Sequence, residues 1–337
     1  MDPLSTFREP VRAWFRASLG EPTRAQALAW PKITSGLSTL LLAPTGSGKT
    51  LAAFLGAIDK ILFAEQAETR LRVVYVSPLK ALAVDVERNL RAPLVGITAA
   101  AERLGVQVRA PVVAVRSGDT PQRERAQLVR SSADILITTP ESLYLLLTSE
   151  ARKHFATVET VILDEVHAVA GTKRGAHLFL SLERLEALRD RTLPPMQRIG
   201  LSATARPADV IARSFGGFSA PGEPRPVEVV DAGAKRAVDV RVELPIEDFR
   251  ALADRDETGP RAEGGRSIWP SIYPRIVELI RAHRTTLVFV NNRRTSERLA
   301  AALNEIAEEE IALAHHGSVA LDRRVIIEDR LKSGSIP

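Results

Sequence analysis

The sequence predicts an α/β protein in which helices cover both faces of a parallel sheet. Short runs rich in Val, Ile and Leu alternate with helical patterns through the first two thirds of the 337 residues. Continuous apolar strands that alternate with helices are typical of a parallel sheet buried on both sides. The predicted strands are residues 40–42, 73–77, 112–115, 135–138, 161–163 and 199–202. The predicted helices between them include residues 81–90, 122–131, 142–147 and 176–189.

A second and shorter α/β pattern follows an irregular segment. Residues 1–220 are expected to form the first domain, and the Pro- and Gly-containing residues 221–270 predict a linker with one short strand at 238–244. Residues 271–337 are expected to form an incomplete second domain, with an exposed apolar sheet edge around residues 287–290. Its predicted helices are 271–282, 295–306 and 321–332, and its predicted strands are 286–290 and 311–315.

Composition places the chain among globular proteins and excludes several kinds of site. Hydrophobic residues make up 45% and charged residues 26% of the sequence, and cysteine is absent. Disulfides, iron–sulfur clusters and cysteine zinc sites are therefore excluded within it. No apolar run could span a bilayer and no signal-peptide core follows Met1, so a cytoplasmic location without a membrane partner is the default expectation. The net charge of +5 favours an anionic partner, but the basic residues are dispersed, so charge alone leaves nucleic acid an open question.

The most informative motif is the glycine-rich segment APTGSGKT at residues 43–50. It lies between the predicted strand 40–42 and an apolar helical pattern at 51–62. A turn in this context points backbone N–H groups and the positive end of a helix dipole at an anion. Its first residue is Ala43, where the usual phosphate-loop pattern has glycine, and the bland alternative is a glycine turn that opens a core helix.

The residues of this segment have the chemistry of a nucleoside triphosphate site. Gly46 and Gly48 remove side chains where phosphate oxygens approach. Lys49 is expected to reach the β- and γ-phosphates, and the Thr50 hydroxyl is expected to ligate magnesium. The predicted cofactor-binding residues of the loop are Thr45, Gly46, Ser47, Gly48, Lys49 and Thr50.

A second motif, DEVH, directly follows the predicted strand 161–163. Asp164 is expected to hold the same magnesium ion as Thr50, and Glu165 to orient or deprotonate the attacking water. A solvated Asp-Glu pair at a strand end is the alternative, but the position behind a buried strand favours catalysis. Lys49, Asp164 and Glu165 are therefore the predicted catalytic residues.

Taken together, five motifs in this order resemble those of superfamily 2 helicases of the DEAD/DEAH type. They are residues 43–50, PLKAL at 78–82, TPE at 139–141, DEVH at 164–167 and SAT at 202–204. Details resemble the Lhr, or large helicase-related, family: Val166, SPLKAL at 77–82, SGDT at 117–120 and SIWP at 267–270. The resemblance covers nearly the whole chain and implies the N-terminal portion of such a helicase. It further implies a RecA-like first domain, a partial second RecA-like domain, ATP and Mg²⁺ as cofactors, and single-stranded DNA rather than RNA as partner.

The resemblance also assigns roles around the nucleotide. Gln26 matches the glutamine that reads the adenine edge, with Trp14 or Phe15 as possible stacking partners. Ser202 and Thr204 match the motif that couples hydrolysis to strand movement. Each has an alternative: Gln26 as a surface helix residue, and the SAT motif as a helix N-cap.

Other matched positions would track a nucleic-acid backbone and be indifferent to base sequence. They are Pro78, Lys80, Gly118, Thr139 and Pro140 in the first domain, and Asn291, Asn292, Arg293, His316, Gly317 and Ser318 in the second. Thr139 and Pro140 could instead be a helix cap with proline at the first helical position. A metal site at His315 and His316 is rejected, because no further His or Cys completes it.

The resemblance further implies motifs that are not found in this sequence, namely a third strand of the second domain and the arginines that reach the γ-phosphate. An arginine finger contributes on the order of 10³ or more in rate. The expectation is therefore a chain that binds ATP and magnesium, hydrolyses ATP weakly and does not unwind duplexes by itself. Two alternatives stay open: a non-hydrolysing ATP- and nucleic-acid-binding module that needs a separate C-terminal chain, and an inactive fragment.

Overall fold

The structure is a computed structural model. It describes residues 2–64, 68–78, 80–204, 206–233, 239–244 and 269–336. The predicted residues Leu79, Val238, Ser267 and Ile268 lie outside this description. The chain divides into two compact units, Met1–Arg236 and Ala237–Pro337. This division falls within the segment 221–270 that the sequence assigns to a linker.

The first unit is built on a seven-stranded parallel sheet, which confirms the predicted fold class. The strands described in this unit are β1 (Thr39–Leu42), β2 (Val73–Val76), β3 (Val113–Arg116), β4 (Ile135–Thr138), β5 (Thr160–Leu163), β6 (Gln197–Ser202), β7 (Phe218–Ala220), β8 (Glu223–Pro224) and β9 (Glu228–Asp231). The sheet order is β3-β4-β2-β5-β6-β1-β9, and β7 and β8 form a separate antiparallel ribbon. Each of the six predicted strands matches one of β1 to β6 within two residues.

Helices cover both faces of this sheet because its buried strands alternate side chains between two apolar cores. Along β2, Val73 and Tyr75 belong to one core, and Val74 and Val76 to the other. Helices α1 to α4 supply the first core and α6 to α9 the second. The helices of this unit are α1 (Glu9–Leu19), α2 (Arg24–Thr34), α3 (Lys49–Leu62), α4 (Lys80–Arg103), α5 (Gln122–Arg130), α6 (Pro140–Leu147), α7 (Val166–Val169), α8 (Lys173–Leu188) and α9 (Ala208–Gly216), with 3₁₀ turns at Pro3–Thr6 and Glu150–Thr157.

The strand β9 is not predicted by the sequence. It pairs in parallel with β1 at the edge of the sheet, and of its four residues only Val230 is buried. An edge strand with one buried side chain lacks the continuous apolar run by which the other strands were predicted.

The second unit contains the three predicted helices. They are α10 (Trp269–Ala282), α11 (Arg293–Ala307) and α12 (Leu321–Ser333). A small apolar core joins α10 and α11 through Val277, Ile280, Leu299 and Leu303, with Ile311 packed beside them.

The predicted strands of the second unit are wrong for the residues that the structure describes. Segments 286–290, 311–315 and 239–244 form no ladder there. At 311–315 the side chain of Asn304 takes the place of a neighbouring strand, because its Oδ1 accepts the N–H groups of Ile311 and Ala312 at 2.9 and 2.8 Å. At 286–290 the side chains of Leu287, Val288 and Phe289 are exposed, Phe289 at 90%, whereas Val290 packs against the small apolar core.

No helix in the described ranges is both long enough and apolar enough to cross a membrane.

Trp30 should be a large contributor to the stability of the first unit. It is fully buried, and the rings of Phe7 and Phe15 meet it edge-on at 5.0 and 5.3 Å between centroids. Trp30→Ala should lower the free energy of unfolding by about 3–5 kcal/mol through lost contacts and a cavity, measured by urea unfolding. Leu28→Ala, at an exposed position of the same helix, is the control and should change it by less than about 0.5 kcal/mol. Equal losses in the two variants would contradict this account of the core.

Candidate functional site

The predicted site residues of the first unit lie along one edge of the sheet. All seven strands are parallel, so their carboxyl ends open on the same side, where ligands bind in such sheets. The predicted nucleic-acid residues follow β2, β3 and β4. The glycine-rich loop follows β1, the DEVH motif follows β5 and the SAT motif begins at the end of β6, whereas Gln26 lies in α2. Because the order is β3-β4-β2-β5-β6-β1, the two sets occupy different halves of that edge and meet where β2 pairs with β5.

The phosphate loop has the backbone shape that its glycines allow. Gly46 and Gly48 have φ values of +80° and +76°, in the left-handed region that L side chains rarely adopt. Gly48 is the N-cap of α3, so the free N–H groups of this helix open toward the loop. The N–H of Ala43 donates to the carbonyl of Ser202 at 2.9 Å, which ties the start of the loop to the end of β6.

Lys49 and Glu165 converge although they are far apart in the sequence. The Nζ atom of Lys49 lies 3.1 Å from Oε1 of Glu165, and the lysine side chain is largely buried. Glu165 is the N-cap of α7 and has a left-handed φ of +45°, a conformation that is uncommon for a residue other than glycine. The residue predicted to bind phosphate and the residue predicted to orient water therefore share one site.

Asp164 is buried beside this pair and is held at both carboxylate oxygens. Its Oδ2 accepts a hydrogen bond from the Tyr75 hydroxyl, and its Oδ1 accepts one from the Glu165 N–H at 2.8 Å. Burial raises the pKa of Asp164, and the two hydrogen bonds oppose this effect. Burial also raises the pKa of Tyr75, so its hydroxyl is a hydrogen-bond donor.

The donor chemistry here fits magnesium. Thr50, the second residue of α3, offers a hydroxyl, and Asp164, directly after β5, offers a carboxylate, so both would be oxygen ligands. No cluster of three or more His, Cys, Asp or Glu side chains able to hold a metal occurs among the described residues. Magnesium commonly uses one or two protein ligands and completes its shell with water and substrate phosphates.

The SAT motif is connected to Glu165 through His167. Nδ1 of His167 lies 3.0 Å from the Ser202 hydroxyl and 3.3 Å from Oε2 of Glu165. The Ser202 hydroxyl also accepts the N–H of Thr204 at 3.3 Å. The helix-cap alternative for the SAT motif is wrong because α9 begins later, at Ala208.

Gln26 is hydrogen-bonded to the phosphate loop. Its side chain is only 3% exposed, so it is not a surface residue. Its Oε1 accepts the N–H of Thr23 at 2.9 Å in a capping box at the start of α2, and its Nε2 donates to the carbonyl of Gly48 at 3.4 Å. The Thr23 hydroxyl donates to the carbonyl of Ser47 at 2.7 Å. Adenine reading by Gln26 remains a prediction, and the capping box was a readable signal that sequence reasoning missed.

The two candidate stacking partners differ in position. Phe15 is 1% exposed and packs against Trp30 in the core, so its ring is not available to a base, and this part of the prediction is wrong. Trp14 lines an open cavity of about 1150 Å³ together with Gly48 and Thr50. Trp14 is also buried, at 7% exposure, but adjacent residues on a helix point about 100° apart, so its ring reaches the cavity while that of Phe15 does not.

The predicted nucleic-acid residues of the first unit have local structural roles as well. Thr139 and Pro140 are buried and are the N-cap and first residue of α6, as the alternative proposed. Gly118 is exposed, and Arg125 holds its loop by donating to the Gly118 carbonyl at 2.6 Å. Pro78 is buried at the end of β2. Lys80 is the first residue of α4, and its side chain lies outside the description.

Within the second unit the two predicted contact loops meet. The Arg293 guanidinium donates to the Ser318 hydroxyl at 2.5 Å, which joins the start of α11 to the loop before α12. Asn292 caps α11 by accepting the N–H of Thr295, and Nε2 of His316 lies 2.7 Å from Oε1 of Glu297. Asn291 and Gly317 are exposed in these loops.

Comparison with known proteins shows the family to which this chain belongs. The family model for DEAD/DEAH box helicases matches residues 23–211, which include the phosphate loop, the DEVH motif and the SAT motif. The chain belongs to the DEAD/DEAH box helicase family.

Within this family the similarity to Lhr helicases extends along the chain. The Lhr helicase and probable uracil glycosylase of Mycolicibacterium smegmatis is 47% identical over 99% of this chain, and the Lhr helicase/uracil glycosylase of Escherichia coli is 43% identical over 99%. The ATP-dependent helicase Lhr-Core protein 2 of Thermococcus barophilus is 40% identical over 97%. The chain spans 23%, 24% and 37% of the lengths of these relatives.

A solved structure agrees with these comparisons. The M. smegmatis helicase Lhr bound to single-stranded DNA and AMP-PNP is 49% identical, with a TM-score of 0.78 over 100% of this chain and 41% of its own. The helicase Mss116p, at 15% identity and a TM-score of 0.68, shares the fold. The RecA-like interpretation of the fold is confirmed.

The shape of the phosphate loop should be sensitive to a single methyl group. At Gly48 an added Cβ would lie 2.6 Å from Nε2 of Gln26, whereas at Gly36, also left-handed with φ +86°, it would meet nothing within 4 Å. Gly48→Ala and Gly36→Ala should both lose about 1–2 kcal/mol of stability from backbone strain, measured by thermal unfolding.

Only Gly48→Ala should also bind a fluorescent ATP analogue more weakly, by about tenfold if the displaced loop loses about 1.4 kcal/mol of binding free energy. Unchanged analogue affinity in Gly48→Ala, or an equal loss in the Gly36→Ala control, would show that the loop does not form the nucleotide site.

Proposed function

We propose that this chain forms the ATP- and nucleic-acid-binding core of a helicase, in which magnesium-dependent ATP hydrolysis is coupled to single-strand binding. The observation that carries the proposal is the convergence of Lys49 and Glu165 at 3.1 Å, with buried Asp164 alongside, at the start of a glycine-capped helix. The similarity to Lhr helicases, one of which is described with single-stranded DNA and AMP-PNP, supports it.

The residues that act in the proposed phosphoryl transfer come from the phosphate loop after β1 and from the DEVH motif after β5. Lys49 binds the β- and γ-phosphates, while Thr50 and Asp164 would hold magnesium, which neutralises charge that develops on the phosphate oxygens. Glu165 orients the attacking water and accepts its proton. Gln26 fixes the loop and reads the edge of adenine.

The other half of the sheet edge would hold the nucleic acid. Pro78, Lys80, Gly118, Thr139 and Pro140 follow adjacent strands and would contact phosphate and sugar. The path from Glu165 through His167 to Ser202 and Thr204 supplies a chain of contacts by which occupancy of the nucleotide site is communicated. The contact loops of the second unit would add Asn291, Asn292, Arg293, His316 and Gly317 to the strand-binding set.

Two substitutions separate binding from hydrolysis. Lys49→Ala should abolish saturable binding of a fluorescent ATP analogue, because it removes the cation that faces the β- and γ-phosphates. Glu165→Gln should keep analogue affinity within about threefold and lower the rate of phosphate release by about 10²-fold or more, because it removes only the proton acceptor. Lys60→Ala, an exposed lysine on the same α3 helix, is the control and should behave as wild type.

If Lys49→Ala binds the ATP analogue as tightly as wild type, the nucleotide site has been assigned to the wrong residues. Wild-type hydrolysis in Glu165→Gln would remove Glu165 from the chemistry while leaving the nucleotide-binding assignment intact.

Single-strand binding should depend on salt and depend little on base sequence. Contacts to phosphates release counterions, so the dissociation constant for a fluorescein-labelled oligonucleotide should rise with salt concentration. The logarithm of the dissociation constant should increase linearly with the logarithm of the salt concentration. Homopolymers and mixed sequences should bind with affinities within about tenfold of one another, measured by fluorescence anisotropy. A strong preference for one mixed sequence over all homopolymers would contradict a backbone-tracking surface.

A further inference from the structure

Tyr75 is a polar side chain in an apolar layer. It lies in the middle of the sheet on β2, it is fully buried, and its neighbours in that core are aliphatic and aromatic. A buried hydroxyl is costly unless it finds a hydrogen-bond partner. Phenylalanine would fill the same space without that cost, so the hydroxyl calls for a reason.

The reason is Asp164. The Tyr75 hydroxyl donates to Oδ2 of Asp164 across the β2–β5 ladder, while Oδ1 accepts the N–H of Glu165 at 2.8 Å. With one hydrogen bond at each oxygen, the carboxylate plane can neither rotate nor tilt freely. The remaining lone pairs of a carboxylate held in this way point in fixed directions.

The ring of Tyr75 also contacts the helix that carries Thr50. It stacks on Phe54 of α3 at 5.2 Å between centroids with an interplanar angle of 28°. Phe54 follows Thr50 by four residues, so both lie on the same face of this helix, one turn apart. One side chain therefore touches one proposed magnesium ligand directly and packs against the helix turn that follows the other.

We propose that Tyr75 is a positioning residue for the nucleotide site, whose hydroxyl fixes the orientation of the Asp164 carboxylate toward magnesium. The inference rests on the proposed function and goes beyond it, because none of the motifs that indicate the site contains Tyr75. A partner of this kind holds a ligand without touching the metal, and its loss typically weakens metal affinity by about 10- to 100-fold.

The test is Tyr75→Phe in the full chain. This substitution keeps the ring, its stacking on Phe54 and the packing of the core, and removes one oxygen. The measurement is titration of a fluorescent ATP analogue at a series of Mg²⁺ concentrations and again in EDTA. The apparent Mg²⁺ affinity should fall by about 10- to 100-fold, whereas analogue affinity in EDTA should match wild type. Tyr144→Phe, at a half-buried tyrosine outside this site, is the matched control and should leave both values unchanged.

Comparing the Mg²⁺ affinity with the analogue affinity in EDTA distinguishes loss of the fixed Asp164 orientation from general loosening of the core. Equal losses with Mg²⁺ and in EDTA, or an unchanged Mg²⁺ affinity in Tyr75→Phe, would overturn the role of Tyr75. Absence of any Mg²⁺-dependent analogue binding in the wild-type chain would instead overturn the proposed function itself. If Tyr75→Phe does not fold, Phe54→Leu takes its place: it keeps the hydroxyl but loosens the ring, and an unchanged Mg²⁺ affinity there would overturn the proposal.

Discussion

The parallel pairing of β5, β6 and β1 is the constraint on which the candidate site depends. Leu41 of β1 pairs with Leu201 of β6, and Ile199 of β6 pairs with Ile162 of β5, so the three strands end at the same edge. The loop after β1 and the DEVH motif after β5 thereby face one another across a single strand. A shift of register by one residue would turn every side chain of that strand to the opposite face. The ion pair of Lys49 and Glu165 is a consequence of this pairing.

The same sheet separates the two proposed binding regions along one edge. The nucleotide residues lie over one half and the proposed strand-contacting residues over the other, and β2 and β5 are adjacent at the boundary. Tyr75 of β2 and Asp164 of β5 make their hydrogen bond across this boundary. The rigid core beneath the edge, with Trp30 and Phe54 fully buried, holds both halves in fixed register.

The parts of the fold that are dictated by burial could be predicted from the sequence. β1, β2, β4 and β5 are buried along their whole length and consist almost entirely of apolar residues. β3 is only partly buried and β6 contains polar residues, but the apolar residues in each were enough to predict its position within two residues. The edge strand β9, with Val230 alone buried, gives no such signal. The segments 286–290 and 311–315 have the composition of strands, but composition does not show whether another strand lies beside them to pair with. At Ile311 the backbone N–H donates to the side chain of Asn304 and not to another strand.

The residues of the candidate site that belong to short sequence motifs could be predicted, whereas contacts between residues distant in the sequence could not. Lys49, Thr50 and Asp164 stand in short motifs after strands, and their placement could be inferred. The contact of Tyr75 with Asp164 joins residues 89 apart, and only the pairing of β2 with β5 reveals it. The choice between Trp14 and Phe15 likewise required the packing of α1.

A structure of this chain determined with AMP-PNP and Mg²⁺ would show whether the loop at residues 43–50 is the nucleotide site. We expect the triphosphate in this loop, with Nζ of Lys49 moved from Glu165 to the β- and γ-phosphates and the metal beside Thr50 and Asp164. A nucleotide bound elsewhere, or bound in the loop with Lys49 still paired to Glu165 and no metal at Asp164, would contradict it.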